Sequence, residues 1–180
     1  AAAGSPLSLY VHFPFCPKQC YYCFCRATIT RDRSKIREFL DHLAREVELV
    51  GSLLRRGGRS PTFKEVHFGG GSPSFMTPEE FDRLREILRA IVDFSDVVEA
   101  TMEIDFRTVD EAGLCGFLDR GVNRISFGIQ DFNPDVQKAV NREQPVAGLE
   151  KPLAPRVRER IKSVNFDLIY GLPRQTRESF

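Results

Sequence analysis

Four thiols stand close together in Cys16-Pro-Lys-Gln-Cys20-Tyr-Tyr-Cys23-Phe-Cys25. The CxxxCxxC spacing lets Cys16, Cys20 and Cys23 turn their sulfurs toward one small volume from a single loop, as an iron–sulfur cluster requires. Three thiolates on a four-iron cluster leave one iron open to another ligand. Two plainer chemistries use the same residues: a structural zinc site with Cys25 or His12 as fourth ligand, or a disulfide pair. The Gly-rich strand end and polar strand ends that follow favour the cluster.

Gly69-Gly70-Gly71-Ser72-Pro73 lacks the Lys-Ser/Thr ending of a P-loop and is not GxGxxG. Three glycines still allow backbone to approach a ligand closely and offer amides to an anion. Strand parity adds a second pointer. Thr101, Glu103 and Asp105 share one face against Met102 and Ile104. Arg124, Ser126, Gly128 and Gln130 oppose Ile125, Phe127 and Ile129, and Asn165 and Asp167 oppose Phe166 and Leu168. A parallel sheet covered by helices on both faces gives continuous apolar runs instead. Unpaired buried carboxylates are costly, so a polar ligand should meet this face, in the mouth of a barrel or part-barrel where the C-terminal strand ends gather. The alternative is an internal ion-pair network, such as Arg124 with Glu103.

The elements that must hold these groups alternate regularly. Leu7–Phe13 reads as a strand leading into the cysteine loop. Ser34 looks like the N-cap of a long helix with Ile36, Phe39, Leu40, Leu43, Val47 and Val50 on one face, stopped by Gly57-Gly58. The basic run Arg55 to Arg59 is taken as a solvated helix end. A strand over Phe63–Phe68 reaches the glycines, and Thr77-Pro78-Glu79-Glu80 is a capping box opening a helix whose stripe is Phe81, Leu84, Leu88 and Ile91. Val97–Asp105 is a third strand. A second capping box at Thr108 to Glu111 starts a helix with Leu114, Phe117 and Leu118 inward, ended by Gly121. Asn123–Gln130 and Ser163–Tyr170 are the last two strands. Asn133-Pro134 opens a short helix toward Asn141, and Pro152 and Pro155 break the next crossover, leaving a short helix at Arg156–Lys162. Strand and helix in this order predict an α/β fold with a parallel sheet.

The 180 residues are enough for one domain, and 26 basic against 25 acidic side chains give no electrostatic reason to bind nucleic acid or a membrane surface. No apolar run approaches a membrane span and no signal peptide is visible. An odd count of five cysteines, four of them crowded, suits a reducing cytoplasm better than a secreted disulfide framework. Cys115, in an apolar helical pattern, is expected in the core.

The stretches PLSLYVHFPFCPKQCYYCFC, HFGGGSP, EID, GVNRISFGIQDFNPDVQKAVNREQP and SVNFDLIYGLPRQT together resemble the radical S-adenosylmethionine (radical SAM) superfamily. Within it they are similar to the oxygen-independent coproporphyrinogen III oxidases. CxxxCxxC alone marks the superfamily, while the added CxC and NREQP favour the oxidases. The resemblance implies a parallel (β/α) partial TIM-type barrel with about five strands present. Cys16, Cys20 and Cys23 would hold a 4Fe–4S cluster, with Cys25 as an extra, non-ligating thiol. Tyr10, Tyr22, Gly70, Gly71, Ser72, Glu103, Gln130, Arg142 and Asp167 match positions that contact SAM, two molecules of it in this family. Gln130, Arg142 and Asp167 would hold part of the second. The implied reaction converts tetrapyrrole propionates to vinyl groups by radical decarboxylation, fed by a low-potential electron donor, in a protein that acts as a monomer. No protein acid or base is singled out as catalytic.

Several positions depart from the family. Phe24 puts a bulky ring beside the cluster loop, Arg26-Ala27 replaces Asn-Lys, Ser72 replaces Thr, Phe106 replaces Pro, and Arg160 replaces Gly. A full barrel needs about 250 residues, so residues 1–180 are expected to be a piece lacking the last barrel units and a C-terminal domain. Three other readings remain: a related haem chaperone, which normally has an aromatic in place of Cys25 and lacks NREQP; another radical SAM enzyme acting on a tetrapyrrole; and a zinc-stabilised structural protein.

Overall fold

Apolar strands separated by amphipathic helices bury themselves by lying side by side with the helices folded over them. The computed structural model of the protein describes residues 5–56, 62–144 and 154–180. Strands β1 (Leu7–Phe13), β4 (Phe63–Gly70), β5 (Glu99–Ile104), β6 (Arg124–Gln130) and β7 (Ser163–Leu168) form one sheet in the order β1-β4-β5-β6-β7, every neighbouring pair parallel. Two short strands, β2 (Phe15–Cys16) and β3 (Thr28–Ile29), pair separately across the ends of the cysteine loop. The connecting helices are α1 (Arg33–Arg56), α2 (Pro78–Leu88), α3 (Glu111–Asp119), α4 (Pro134–Ala139) and α5 (Pro155–Arg158).

The helices cover one face of the sheet. Phe13, Val66, Phe68, Met102, Ile104, Ile125 and Phe127 from the strands, and Ile36, Leu40, Phe81, Leu84, Leu114 and Phe117 from α1 to α3, form a single buried core. Its aromatic spine runs Phe68–Phe81–Phe117, with ring centroids 4.9 and 5.4 Å apart and edges set against faces. That is the geometry in which aromatic quadrupoles attract.

The expected capping box is present: Thr77 accepts from the Glu80 backbone N–H while the Glu80 carboxylate accepts from the Thr77 N–H. The second one is not. Asp110 caps α3 by accepting from Gly113 N, and Thr108 instead donates to the Asp105 carbonyl. A carboxylate two residues later wins because it also meets the positive end of the helix. At α1 the capping oxygen belongs to Asp32, which accepts from both the amide and the hydroxyl of Ser34. Val50 is exposed and Gly51 takes the buried position, where a Cβ would come within 3.0 Å of Ile91. The expected stop at Gly57-Gly58 lies outside the described residues, as does most of the proline-broken crossover; α5 starts at Pro155, earlier than expected. β4 runs on to Gly70, while β5 stops at Ile104 and β7 at Leu168. Cys115 is half-buried against the core, as expected.

Every residue of β7 is exposed, including Val164, Phe166 and Leu168, so this edge of the sheet is uncovered by the described residues. Among those residues no helix is long and apolar enough to cross a membrane. Truncating the centre of the aromatic spine should be costly. Phe81→Ala is expected to lower stability by about 3–5 kcal/mol, measured as a lower denaturation midpoint in urea with an unchanged slope.

Candidate functional site

The C-terminal ends of the strands carry the loops, and three sets of backbone bonds fix the cysteine loop there. Gly71 N donates to the Phe13 carbonyl (2.7 Å) and Ser72 N to the Phe15 carbonyl (2.9 Å), zipping the glycine run to the entry of the loop. Thr28 N and Thr30 N donate to the carbonyls of Pro14 and Cys16, closing its exit. Its tip is held from across the sheet, where Tyr21 N donates to the Val140 carbonyl (2.9 Å) and the Asn141 side chain donates to the Gln19 carbonyl (2.7 Å). Asn141 adopts φ 57° to do so, a left-handed conformation that asparagine tolerates better than most residues.

Glycine is required in the run for space. A Cβ at Gly71 would lie 2.7 Å from the Phe15 carbonyl oxygen. At Gly70, whose φ is 112°, it would meet the His12 ring and the Phe13 carbonyl oxygen, each at 2.8 Å. The cradle admits backbone and nothing larger.

Beneath the loop lies a charged knot. Asp105, just past the end of β5 and almost fully buried, accepts from Arg107 through Nε (2.9 Å to Oδ1) and Nη2 (2.6 Å to Oδ2). Its Oδ2 also receives Arg142 Nη1 at 3.3 Å. Burial pushes the Asp105 carboxyl up, but Arg107's hydrogen bonds and the Arg142 charge outweigh it and hold the group below the usual carboxylate range. Burial alone would lower the Arg107 pKa; its bonds to Asp105 raise it instead. Both guanidinium groups reach one sulfur: Arg107 Nη2 and Arg142 Nη1 each lie 3.5 Å from Cys20 Sγ. Cys16 Sγ accepts from the Ser72 hydroxyl at 3.5 Å, so serine at this position keeps a working hydroxyl.

The polar face is where strand parity placed it. Glu103 accepts from Gly70 N (3.0 Å) and pairs with His67 Nε2 (3.0 Å). Arg124 pairs with Glu99 instead of Glu103, because Glu99 sits on the same face at the strand's start. Ser126 donates to Asp167 (2.9 Å), and Asn165 bridges the two. Gln130 ends β6 at φ 73°, where the register with β7 shifts. A non-glycine residue held in that region is strained, and such strain collects at functional sites.

These groups surround a cleft of about 250 Å³. Cys16, Cys20, Tyr22, Cys23, Gly70, Gly71, Ser72, Glu103, Gln130, Arg142 and Asp167 all line it, and so does Cys25. Tyr10 does not line it; its hydroxyl bonds His12 Nδ1 (3.1 Å) and its ring stacks on His67. Phe24 is fully exposed and outside the cleft lining, so it does not crowd the cysteines. Asp105 and Arg107 line the cleft as well. Arg107 is missed by strand parity because it stands on a loop, and the Asn141 clamp is missed because asparagine in a turn looks like any other.

The donor set fits an iron–sulfur cluster. All five cysteines are free thiols. His12 is no zinc ligand in waiting, since Nε2 engages the Arg26 carbonyl and Nδ1 engages Tyr10. Among the described residues no three His, Cys, Asp or Glu side chains surround one point as a single ion needs. A cubane instead spreads its thiolates over separate irons. Two cations on Cys20 suit an anionic cluster, and the buried Arg107 Nη1 has no acceptor among the described residues. An orphaned buried donor of this kind costs about 1–3 kcal/mol, which an anionic group in the cleft would relieve.

A sequence model described as the Radical SAM superfamily matches residues 10–180. The chain is 42% identical over 180 residues to the oxygen-independent coproporphyrinogen III oxidase of Pseudomonas aeruginosa, covering 99% of this chain and 38% of that protein. Against the enzyme of the same name from Escherichia coli it is 41% identical over 175 residues, covering 97% of this chain and 37% of that one. The solved structure of the Escherichia coli coproporphyrinogen III oxidase, described as a radical SAM enzyme, superposes with a TM-score of 0.87 at 40% identity, over 97% of this chain and 39% of that chain. The chain thus spans about two fifths of the length of these relatives.

Gly70→Ala combines left-handed strain with a backbone clash, whereas Gly121→Ala, at φ 90° with no atom nearer than 3.9 Å, carries strain alone. Each is expected to destabilise by about 1–3 kcal/mol, with Gly70→Ala the costlier in chemical denaturation. Equal losses would show that the cradle relaxes freely.

Proposed function

This chain belongs to the radical SAM superfamily, and we propose that it forms the cofactor-binding part of an oxygen-independent coproporphyrinogen III oxidase. The observation that carries the reading is convergence: the three-cysteine loop, the glycine cradle and the polar strand ends line one cleft. The names of its relatives agree. In this reading Cys16, Cys20 and Cys23 hold a 4Fe–4S cluster, leaving the fourth iron for SAM.

When bound, the cluster and SAM would supply one-electron radical chemistry for abstracting hydrogen from a propionate side chain. The chain's own residues bind and orient. Gly70 and Gly71 let backbone approach SAM, with the Ser72 hydroxyl beside Cys16. Glu103, fixed by Gly70 N and His67, offers a carboxylate to the SAM amino group. Tyr22 lines the cysteine side of the cleft, and Tyr10, stacked on the His67 that pairs with Glu103, stands outside the lining. Gln130, Arg142 and Asp167 belong to the β6–β7 side of the cleft and would take part in holding a second SAM. The half-enclosed cleft limits water around a radical that must meet only its target.

The substrate is a tetrapyrrole carrying propionates, the electron donor a low-potential one-electron carrier, and the working protein a cytoplasmic monomer in which residues 1–180 are the first part of the barrel. Free thiols facing a cleft suit a reducing compartment. Anaerobic protein loaded with iron and sulfide should, with dithionite, convert SAM to methionine and 5′-deoxyadenosine, and Cys23→Ala should reduce this to background. With coproporphyrinogen III added to the longer protein, each vinyl group formed should accompany one carbon dioxide. Cleavage of SAM unaffected by Cys23→Ala would contradict the proposal.

A further inference from the structure

Cys20 differs from the other cysteines of the loop in the company it keeps. It is buried, and two guanidinium groups donate toward its sulfur from opposite parts of the chain. Both line the cleft, but Arg142 has a second anchor in the Gly128 carbonyl (Nε, 3.0 Å). Arg107 has no oxygen acceptor beyond Asp105 among the described residues. It lies two residues beyond the Asp105 that grips it, its side chain is mostly buried, and Nη1 finds no acceptor among the described residues. A long cation is expensive to bury, so one held this firmly beside a cysteine sulfur should act on whatever that sulfur binds.

We propose that Arg107 is a positioning residue that fixes cationic charge and an N–H···S hydrogen bond on Cys20, and so raises the reduction potential of the cluster that Cys20 holds. The inference rests on the cluster reading above. The charge balance decides the sign. Asp105 contributes −1 and Arg107 and Arg142 +1 each, so the knot presents a net +1 to the sulfur. Reduction adds an electron to a thiolate-bound cluster, and both positive charge and hydrogen bonds to sulfur favour the reduced form. The groups are buried, so salt screens them little. Asp105 clamps the guanidinium through two nitrogens, a grip a single ammonium cannot copy. That clamp keeps Arg107 aimed at the sulfur whether or not the cleft is filled.

The test is an anaerobic redox titration of the reconstituted protein followed by electron paramagnetic resonance. At a poise where the native cluster is half reduced, Arg107→Gln should lower the reduced-to-oxidised ratio about tenfold, or about 59 mV for a one-electron couple. Iron and sulfide content and the circular dichroism spectrum should stay unchanged. Arg107→Lys should recover part of the shift. If Arg107→Gln fails to hold a cluster, Arg107→Lys serves instead. It keeps the positive charge but loses the two-nitrogen grip on Asp105, and should give a smaller downward shift. An Arg107→Gln cluster with native potential overturns the proposal, as does an Arg107→Lys cluster whose potential is native or higher. A native protein that takes up no cluster overturns the cluster reading itself, a result distinct from either.

Discussion

The site depends on one buried carboxylate. Asp105 lies where β5 ends, and through Arg107 and Arg142 it ties that strand end, the loop after it, the segment after α4 and the cysteine loop into one unit. Removing one partner from such a buried pair costs about 3–5 kcal/mol, because the remaining charge has nowhere to go. With all partners present the unit is rigid, and Cys20 is presented to the cleft in a single arrangement. The backbone amides of Gly71 and Ser72 perform the same service on the Cys16 side.

The sheet explains why these parts meet. Parallel strands send all their loops from one end, so the cysteine loop after β1, the glycines after β4 and the Asp105 turn after β5 arrive at a common rim. Alternation then divides each strand between a helix-covered core and a polar face that carries Glu103, Ser126 and Asp167. A polar face is tolerated only if its groups are paired or meet a ligand. Here pairing is partial: Glu103 and Asp167 have protein partners, while Arg107 Nη1 has none among the described residues.

Much of this was legible in the residues. The succession of strands along the chain, the cysteine loop and the polar face follow from period-two alternation and from thiol spacing, both local signals. What stayed hidden was decided by tertiary contact. Thr108 fits a capping pattern but is drawn to the Asp105 carbonyl and Ser74, leaving Asp110 to cap α3. Val50 continues the apolar stripe of α1, yet Gly51 faces the packed Ile91. Arg107 and Asn141 lie on turns, where no periodicity marks a residue as inward, and their partners are distant in sequence. Phe24 looked obstructive by volume alone; its ring points away from the cleft lining into solvent.

The central claim is that the three-cysteine loop holds a cluster with one iron open to SAM. Electron paramagnetic resonance of the anaerobically reconstituted, reduced protein, recorded with and without SAM, tests it most directly. The account predicts a reduced 4Fe–4S signal whose shape changes when SAM is added. A well-folded protein that binds one colourless zinc and gives no cluster signal would contradict it, and so would a cluster signal indifferent to SAM.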